Sequence, residues 1–168
     1  MAYTTINKSS SFMNTKLWTG TGSSIALTGV GFQPDWTWIK NTAISSNHAL
    51  FDSVRGVQKV LNSNNTNVEA TGTSWLNSFD TDGFTINGGD GFVNGSGNAM
   101  ASWNWKANGA GSANTDGSIS STVSANTTSG FSIVKYTGTG VAGTVGHGLN
   151  AVPKMFMIKD LTSSNDWQ

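Results

Sequence analysis

The chain has 168 residues, with nine basic and nine acidic side chains that cancel to a formal net charge of zero. This balance argues against nucleic-acid partners, because phosphate binding needs clustered lysine and arginine. The absence of cysteine excludes disulfide bonds and thiolate metal sites. Seven tryptophans and eight phenylalanines can bury a large apolar area, so we expect a folded chain despite its richness in glycine, serine and asparagine.

The N-terminal segment, residues 1–9, lacks the hydrophobic core of a signal peptide. No apolar run along the chain approaches the ~18 residues that a membrane span needs. We therefore expect synthesis in the cytoplasm and no membrane insertion.

Short segments of alternating apolar and polar residues, separated by turns, predict an all-β fold. Trp36 and Trp38 are two residues apart and so share one face of a strand, as do Trp103 and Trp105. We interpret most of these four tryptophans as core residues of an antiparallel, jelly-roll-like sandwich. Further strands are predicted at residues 84–86 and 131–136, which are rich in β-branched and aromatic residues.

Residues 49–61 (ALFDSVRGVQKVL) allow two interpretations. Their apolar residues have helical spacing, but Gly56 in the middle of a helix would cost about 1 kcal/mol relative to alanine. The alternative is two strands, ALFDSV and QKVLN, joined at Arg55 and Gly56. We favour the strands, because valine recurs in this segment and its neighbours are all β.

The chain contains an internal repeat. WTGTG at residues 18–22 lines up with YTGTG at residues 136–140, and after a one-residue insertion the second of the two prolines, Pro153, lines up with Pro34. The distance along the chain from Trp18 to Tyr136 is the length of a typical domain, so the repeated unit is of domain size. Residues 107–118 (ANGAGSANTDGS) contain no large apolar side chain and predict a linker. The predicted organisation is an N-terminal segment at 1–9, a complete repeat at 10–106, the linker at 107–118 and a partial second repeat at 119–168.

The partial second repeat needs something to cover its apolar strands. FSIVKY (131–136) and KMFMIK (154–159) would be marginal as isolated strands, and open edges pair with other chains. We therefore expect residues 128–160 to complete a sheet in the first unit or in a neighbouring subunit. Self-association through strand addition, giving a homo-oligomer or a fibre, follows as an expectation, and so does the hypothesis that the chain is a piece of a longer repeat protein.

Four segments follow one another in a distinctive order: GVGFQPDWTWIKN (29–41), HALFDSVRGVQKVLNSNN (48–65), DGFTINGG (82–89) and ASWNWKAN (101–108). Together they resemble a repeated domain in tail-fibre and appendage proteins of bacteriophages. The resemblance covers most of residues 18–108, and the second copy matches the start of the same domain. It implies a lectin-like, concanavalin A-like jelly roll in a virion that binds a glycan of the host surface. A purely structural repeat without a ligand is the alternative.

An enzyme that cuts polysaccharide would need two carboxylates about 5–10 Å apart. Asp80, Asp82 and Asp90 lie in turns, where aspartate commonly bonds the local backbone. No Gly-x-Ser-x-Gly elbow, metal-binding histidine pair or Walker loop occurs. We expect a non-enzymatic protein without catalytic residues. The same three aspartates are weak calcium candidates, because Gly91 stands where a calcium loop would carry its closing glutamate.

Trp75 is the predicted platform for a sugar ring, because TGTSWLNS places it near a turn, where side chains are often exposed. Asp52 and Arg55 form a predicted charged pair at one edge of the sheet. Such pairs are more often structural than ligand-binding, and we name both residues as ligand-binding candidates beside Trp75.

Overall fold

The computed structural model describes residues 6–88 and 90–168, so the first five residues of the predicted N-terminal segment lie outside the described part. The predicted all-β class is confirmed. A 3₁₀ turn spans Ser9–Ser11, and a one-turn helix, α1, spans Gly91–Asn94. The strands are β1 (Met13–Thr19), β2 (Ile25–Thr28), β3 (Trp36–Asn41), β4 (Ala49–Asp52), β5 (Lys59–Val60), β6 (Ala70–Thr71), β7 (Leu76–Asp80), β8 (Gly83–Ile86), β9 (Ala99–Trp105), β10 (Ser112–Asn114), β11 (Ser121–Asn126) and β12 (Phe131–Tyr136).

Two antiparallel sheets form a sandwich. One has four strands in the order β1-β9-β3-β4, and the other has three in the order β2-β8-β7. Their facing side chains form one core, which α1 and the loop after β2 help to close. Its buried apolar residues are Leu27, Val30, Phe32, Ile39, Ala49, Phe51, Val60, Leu76, Phe84, Ile86, Val93 and Met100.

The helical interpretation of residues 49–61 is wrong, and the two-strand interpretation is confirmed by β4 and β5. Asp52 ends β4, because its Oδ1 accepts hydrogen bonds from the backbone N–H groups of Val54 (3.1 Å) and Arg55 (2.8 Å). Gly56 then turns the chain with a φ of +93°, which a right-handed helix does not contain.

The prediction that most of the strand tryptophans lie in the core is wrong. On β3, Thr37 and Ile39 are fully buried toward the core, whereas Trp36 and Trp38 on the opposite face are half-buried. The same holds on β9, where the partners directly opposite are Trp105 and Trp103. Alternation identifies residues that share a face, but it does not say which face turns inward.

The predicted linker region contains β10, which pairs with β11 and places residues 112–114 at the edge of a separate sheet, outside the sandwich, with the order β10-β11-β12. The start of this region is tied to the sandwich by Asp35, which is 3% exposed. Its carboxylate accepts the backbone N–H groups of Ala107 at 2.7 Å and Gly109 at 3.1 Å.

The internal repeat extends to backbone conformation. β12 occupies the positions that correspond to β1. Three residues of the first copy with positive φ have counterparts with positive φ in the second: Gly22 (66°) and Gly140 (75°), Gly29 (84°) and Gly148 (69°), and Gly31 (91°) and Asn150 (56°). Asparagine is one of the few residues besides glycine that adopt this conformation readily.

Side-chain hydrogen bonds are repeated as well. Lys40 Nζ donates to the carbonyl of Ile44, and its counterpart Lys159 donates to the carbonyl of Ser163. In the same way, Asn41 accepts the N–H of Ala43, and Asp160 accepts the N–H of Thr162 at 2.8 Å. The hydroxyls of Thr21 and Thr139 both bond the carbonyl two residues on. The second copy therefore keeps the local conformation of the first.

The second copy differs from the first in what surrounds it. Gly29 and Gly31 donate their N–H groups to the carboxylate of Asp82, but in the described part of the chain no acceptor meets the N–H groups of Gly148 and Asn150. The counterpart of β3, residues 155–160, forms no strand. Residues 128–160, which were expected to complete a sheet, do so only in part within this chain. β12 joins the sheet of β10 and β11, whereas residues 155–158 remain exposed.

Candidate functional site

The outer face of the four-stranded sheet carries the four half-buried tryptophans, which we call the tryptophan face: Trp36, Trp38, Trp103 and Trp105. Two of them come from β3 and two from β9. The antiparallel register sets Trp36 opposite Trp105 and Trp38 opposite Trp103, with ring centroids 4.7 Å and 6.1 Å apart. Direct cross-strand pairs of this kind stabilise a sheet, and here they also form a continuous aromatic surface.

One end of the tryptophan face is covered by the second copy. Phe131, the first residue of β12, lies 5.8 Å from Trp36 and 6.3 Å from Trp105 between ring centroids, and it stacks on Trp105 at an interplanar angle of 27°. The covered end is therefore part of the contact between the sandwich and the sheet formed by β10, β11 and β12.

The other end of the tryptophan face carries a polar group. Trp38 Nε1 donates a hydrogen bond of 2.8 Å to Nδ1 of His48, which immediately precedes β4. Burial, and next the positive charge of Lys40, lower the pKa of His48 below its usual value of 6.5. The neutral imidazole that results leaves Nε2 as a donor, because Nδ1 accepts the indole proton.

The middle of the tryptophan face is bordered by β1. Thr15 lies opposite Trp103 and Leu17 lies opposite Ala101, and Leu17 is 73% exposed. This arrangement offers aromatic rings, an aliphatic border and hydrogen-bonding groups at its edge. Such a surface suits a neutral, partly apolar ligand whose rings stack on indole.

Trp75, the predicted sugar platform, lies elsewhere. It is half-buried against the sandwich core, and its Nε1 donates a hydrogen bond of 2.7 Å to Asp90 Oδ2. Its ring meets Phe92 edge-on at 5.9 Å. Trp75 and Phe92 line a cleft of about 390 Å³ with Ser46, Asn47, Val60, Asn62 and Ala70. The role of Trp75 in ligand binding stays a prediction.

Asp52 and Arg55 form a buried ion pair, at 6% and 9% exposure. Arg55 also donates to Glu69 Oε2 at 3.1 Å and to the carbonyl of Leu50 at 3.0 Å. Lys59 lies 3.6 Å from the other oxygen of Glu69. The guanidinium is thus held by several internal acceptors, which matches the structural role that such pairs usually have.

The three candidate calcium ligands each have separate internal partners. Asp80 accepts the hydroxyls of Ser78 and Thr85, both at 2.7 Å. Asp82 holds the turn at Gly29 and Gly31, whose N–H groups lower its pKa, and Asp90 caps α1 and binds Trp75. Within residues 6–88 and 90–168, no group of three or more histidine, cysteine or acidic side chains is placed to hold a metal ion.

Sequence reasoning missed His48 and Phe131 as neighbours of the tryptophan face. His48 stands alone in the sequence, and its contact with Trp38 depends on the pairing of β3 with β4. Phe131 was recognised only as a strand residue. The spacing of the tryptophans was the available signal, because two pairs of alternating tryptophans on separate strands predict one shared surface if the strands are neighbours.

Fold and site together define an all-β sandwich protein with an aromatic surface on one sheet. The chain belongs to a family whose model matches residues 8–168 and is described as a domain of unknown function (DUF7483). The matched region includes both copies of the repeat and residues 107–118. No curated protein matches the chain, and no solved structure matches it. In the described part of the chain, no helix is long and apolar enough to cross a membrane.

Proposed function

We propose that this chain is a non-enzymatic, lectin-like module of a bacteriophage tail fibre or appendage, which resides in the virion and binds a glycan of the host surface. Its sandwich would then be of the concanavalin A-like jelly-roll kind. The proposal draws on the resemblance of residues 18–108 to phage fibre repeats.

The single observation that carries the glycan proposal is the tryptophan face. Half-buried tryptophans are held rigidly by strand pairing, and they present ring surface at little cost in side-chain entropy. Trp38 and Trp103 form its open part, because Phe131 covers Trp36 and Trp105. His48 stands beside Trp38 with its Nε2 as a donor for a sugar hydroxyl. Sugars need this combination of a stacking surface and oriented polar groups.

A glycan array tests the proposal with the full chain against surface polysaccharides of bacteria. We expect binding to a restricted set of glycans, and we expect Trp103→Ala to weaken it by about tenfold, because one stacking ring is lost. The matched variant Trp75→Ala removes a tryptophan from the cleft instead. Retained folding of both variants is checked by circular dichroism.

Loss of binding in Trp75→Ala with retention in Trp103→Ala would move the site to the cleft beside Phe92. Silence of the wild-type chain across the array would contradict glycan binding altogether.

A second function, a structural repeat without ligand, is favoured by one specific observation. The half-buried ring of Phe131 packs on Trp36 and Trp105, so part of the tryptophan face already serves to join the two copies. In a longer array, successive units would be joined in the same way, and the array would provide length and assembly instead of recognition. A silent glycan array together with association of the chain would support this role.

A further inference from the structure

The cleft beside Trp75 shares no lining residue with the tryptophan face. All of its lining residues belong to the complete repeat, and none of them carries a charge. Its volume of about 390 Å³ lies at the lower end of the range of about 300–1,000 Å³ that small-molecule sites occupy. The cleft therefore suits one small, neutral ligand.

Two aromatic rings form one wall of the cleft, and Asp90 fixes both of their residues. Trp75 Nε1 donates to Asp90 Oδ2 at 2.7 Å, and the N–H of Phe92 donates to Asp90 Oδ1 at 3.2 Å. Val60 and Ala70 extend the apolar lining. A methyl group or the C–H face of a sugar ring packs well on such a wall.

The segment that carries Trp75 is held by Gln58. Gln58 has a φ of +63°, a left-handed conformation that few residues other than glycine adopt. Its carbonyl accepts the N–H of Gly72 at 3.0 Å, and its Oε1 accepts the N–H of Trp75 at 3.2 Å. Gly72 lies so close to the indole that an added Cβ would be 3.1 Å from Trp75 Cη2. Backbone strain of this kind is common at ligand-binding sites, and here it fixes the position of the ring.

Two asparagines that line the cleft, Asn47 and Asn62, are oriented by the main chain of His48. The carbonyl of His48 accepts Asn62 Nδ2 at 2.7 Å, which leaves Asn62 Oδ1 as an acceptor. The N–H of His48 donates to Asn64 Oδ1 at 2.9 Å, and Asn64 Nδ2 donates to Asn47 Oδ1 at 3.0 Å. This order leaves Asn47 Nδ2 as a donor. Neither remaining group has a partner within the described residues.

Ser46 contributes a third polar group to the lining of the cleft. Its Oγ is buried and has no hydrogen-bond partner in the described part of the chain. Buried hydroxyls in folded proteins almost always have a partner, and a hydroxyl of a ligand has the right chemistry to provide one.

We propose that the cleft binds an N-acetylhexosamine through its acetamido group. An acetamido group carries one N–H and one carbonyl, which complement Asn62 Oδ1 and Asn47 Nδ2. Its methyl group and the C–H face of the sugar ring pack on the aromatic wall. A peptide carries the same amide group, but it continues on both sides of that group, whereas the small volume of the cleft suits a single sugar unit.

Titration of the full chain with N-acetylglucosamine tests the site, followed by the NMR signal of the Trp75 indole N–H. We expect a saturable shift with a Kd on the order of 1 mM, at the weak end of the affinity scale. Glucose lacks the acetamido group and should bind at least tenfold more weakly. N-acetylalanine methylamide has the amide but no sugar ring, and it should also bind at least tenfold more weakly.

Three results of this titration would overturn the proposal. The absence of a saturable shift up to roughly 20 mM N-acetylglucosamine would contradict binding in the cleft. Equal binding of glucose would contradict recognition of the acetamido group. Equal binding of the methylamide would contradict a sugar as the class of ligand.

Asn47→Asp tests the hydrogen bonds. It keeps the Oδ1 that accepts from Asn64, but it replaces the remaining donor with an acceptor, so we expect about tenfold weaker binding of N-acetylglucosamine. Asn65→Asp is the matched control, because it adds the same charge nearby, keeps the acceptor for the N–H of Asn67 and does not line the cleft. Equal effects of the two variants would contradict the proposed contact.

Ala70→Leu tests the location by size. Ala70 is exposed on β6, where the fold tolerates a larger side chain, and leucine should fill part of the cleft and weaken binding at least tenfold. Unchanged binding would place the sugar elsewhere.

Trp103→Ala separates the cleft from the tryptophan face. This variant should bind N-acetylglucosamine like the natural chain, and a loss of binding would contradict a site in the cleft. The proposed glycan site on the tryptophan face is tested instead by the effect of the same variant on the array, so failure of one site is distinguishable from failure of the other.

Discussion

Trp38 and His48 are joined by a hydrogen bond of 2.8 Å from the indole Nε1 to the imidazole Nδ1. The bond exists only while Nδ1 carries no proton. It therefore couples the open end of the tryptophan face to the protonation state of one histidine, and the lowered pKa of His48 favours the neutral form.

This relationship predicts a pH dependence of stability. In the unfolded chain His48 takes up a proton as the pH falls through about 6.5, whereas in the folded chain the proton binds only at lower pH. Between those two values the unfolded state holds more protons, so the free energy of unfolding falls as the pH is lowered from 7 and levels off below the folded pKa. Urea unfolding at a series of pH values measures the effect.

The non-titrating variant His48→Gln is the control for that experiment. The difference in unfolding free energy between wild type and variant should shrink as the pH falls from 7.5 to 5, a window that brackets the usual pKa at about 6.5. A difference that stays constant, or an NMR titration of the His48 ring with its midpoint above 6.5, would contradict the assignment.

The tryptophan pattern shows which features of the fold can be predicted from local sequence and which cannot. Spacing alone predicted that Trp36 and Trp38 share a face, and that Trp103 and Trp105 do, and both predictions are confirmed by the register of β3 and β9. The inward or outward direction of that face was predicted wrongly. Direction depends on which side the second sheet packs, and only the long-range pairing of β2, β8 and β7 decides it.

A second prediction concerns the buried charges around Arg55. Arg55→Met would leave Asp52 and Glu69 without their main cationic partner at low exposure, and breaking a buried ion pair from one side typically costs about 3–5 kcal/mol. We expect a loss of that order in the free energy of unfolding, measured by urea denaturation.

Lys59→Met is the matched control, because Lys59 also contacts Glu69 but its side chain is 36% exposed. Pairs of such exposure contribute about 1 kcal/mol at most. Equal losses in the two variants would show that the Arg55 pair is no more important than a surface contact.

A third prediction concerns Gly83, the first residue of β8. Gly83 has a φ of +152°, and a Cβ added there would lie 1.8 Å from the carbonyl oxygen of Leu27 on β2. Gly83→Ala therefore forces β2 and β8 apart, and overpacking of this kind costs about 1–3 kcal/mol. Gly97→Ala is the comparison, because Gly97 has positive φ but nothing within 4 Å. We expect the larger loss of melting temperature for Gly83→Ala, and the reverse order would contradict the close approach.

The repeat illustrates a different limit of sequence analysis. The alignment of Pro34 with Pro153 predicted two copies, and the shared positive φ of Gly29 and Gly148 supports a common local conformation. What the alignment could not supply is the environment of the second copy. The contacts of Phe131 depend on how residues 107–118 place β12. That placement depends in turn on the hydrogen bonds from the N–H groups of Ala107 and Gly109 to Asp35, which join residues far apart in the sequence and so cannot be predicted from a local pattern.

The last prediction tests the contact between the two copies. Phe131→Ala removes the ring that covers Trp36 and Trp105, so both indoles become more exposed to water. We expect tryptophan emission to shift to the red and the free energy of unfolding to fall by about 1–2 kcal/mol, less than for a fully buried phenylalanine because Phe131 is half-buried. Phe156→Ala is the matched control, because Phe156 is 73% exposed and surface changes usually stay within about 0.5 kcal/mol. The two variants are compared in dilute solution, where copies do not associate. If Phe131→Ala leaves the emission unchanged, the second copy does not cover the tryptophan face in solution, and the structural role loses the contact on which it rests.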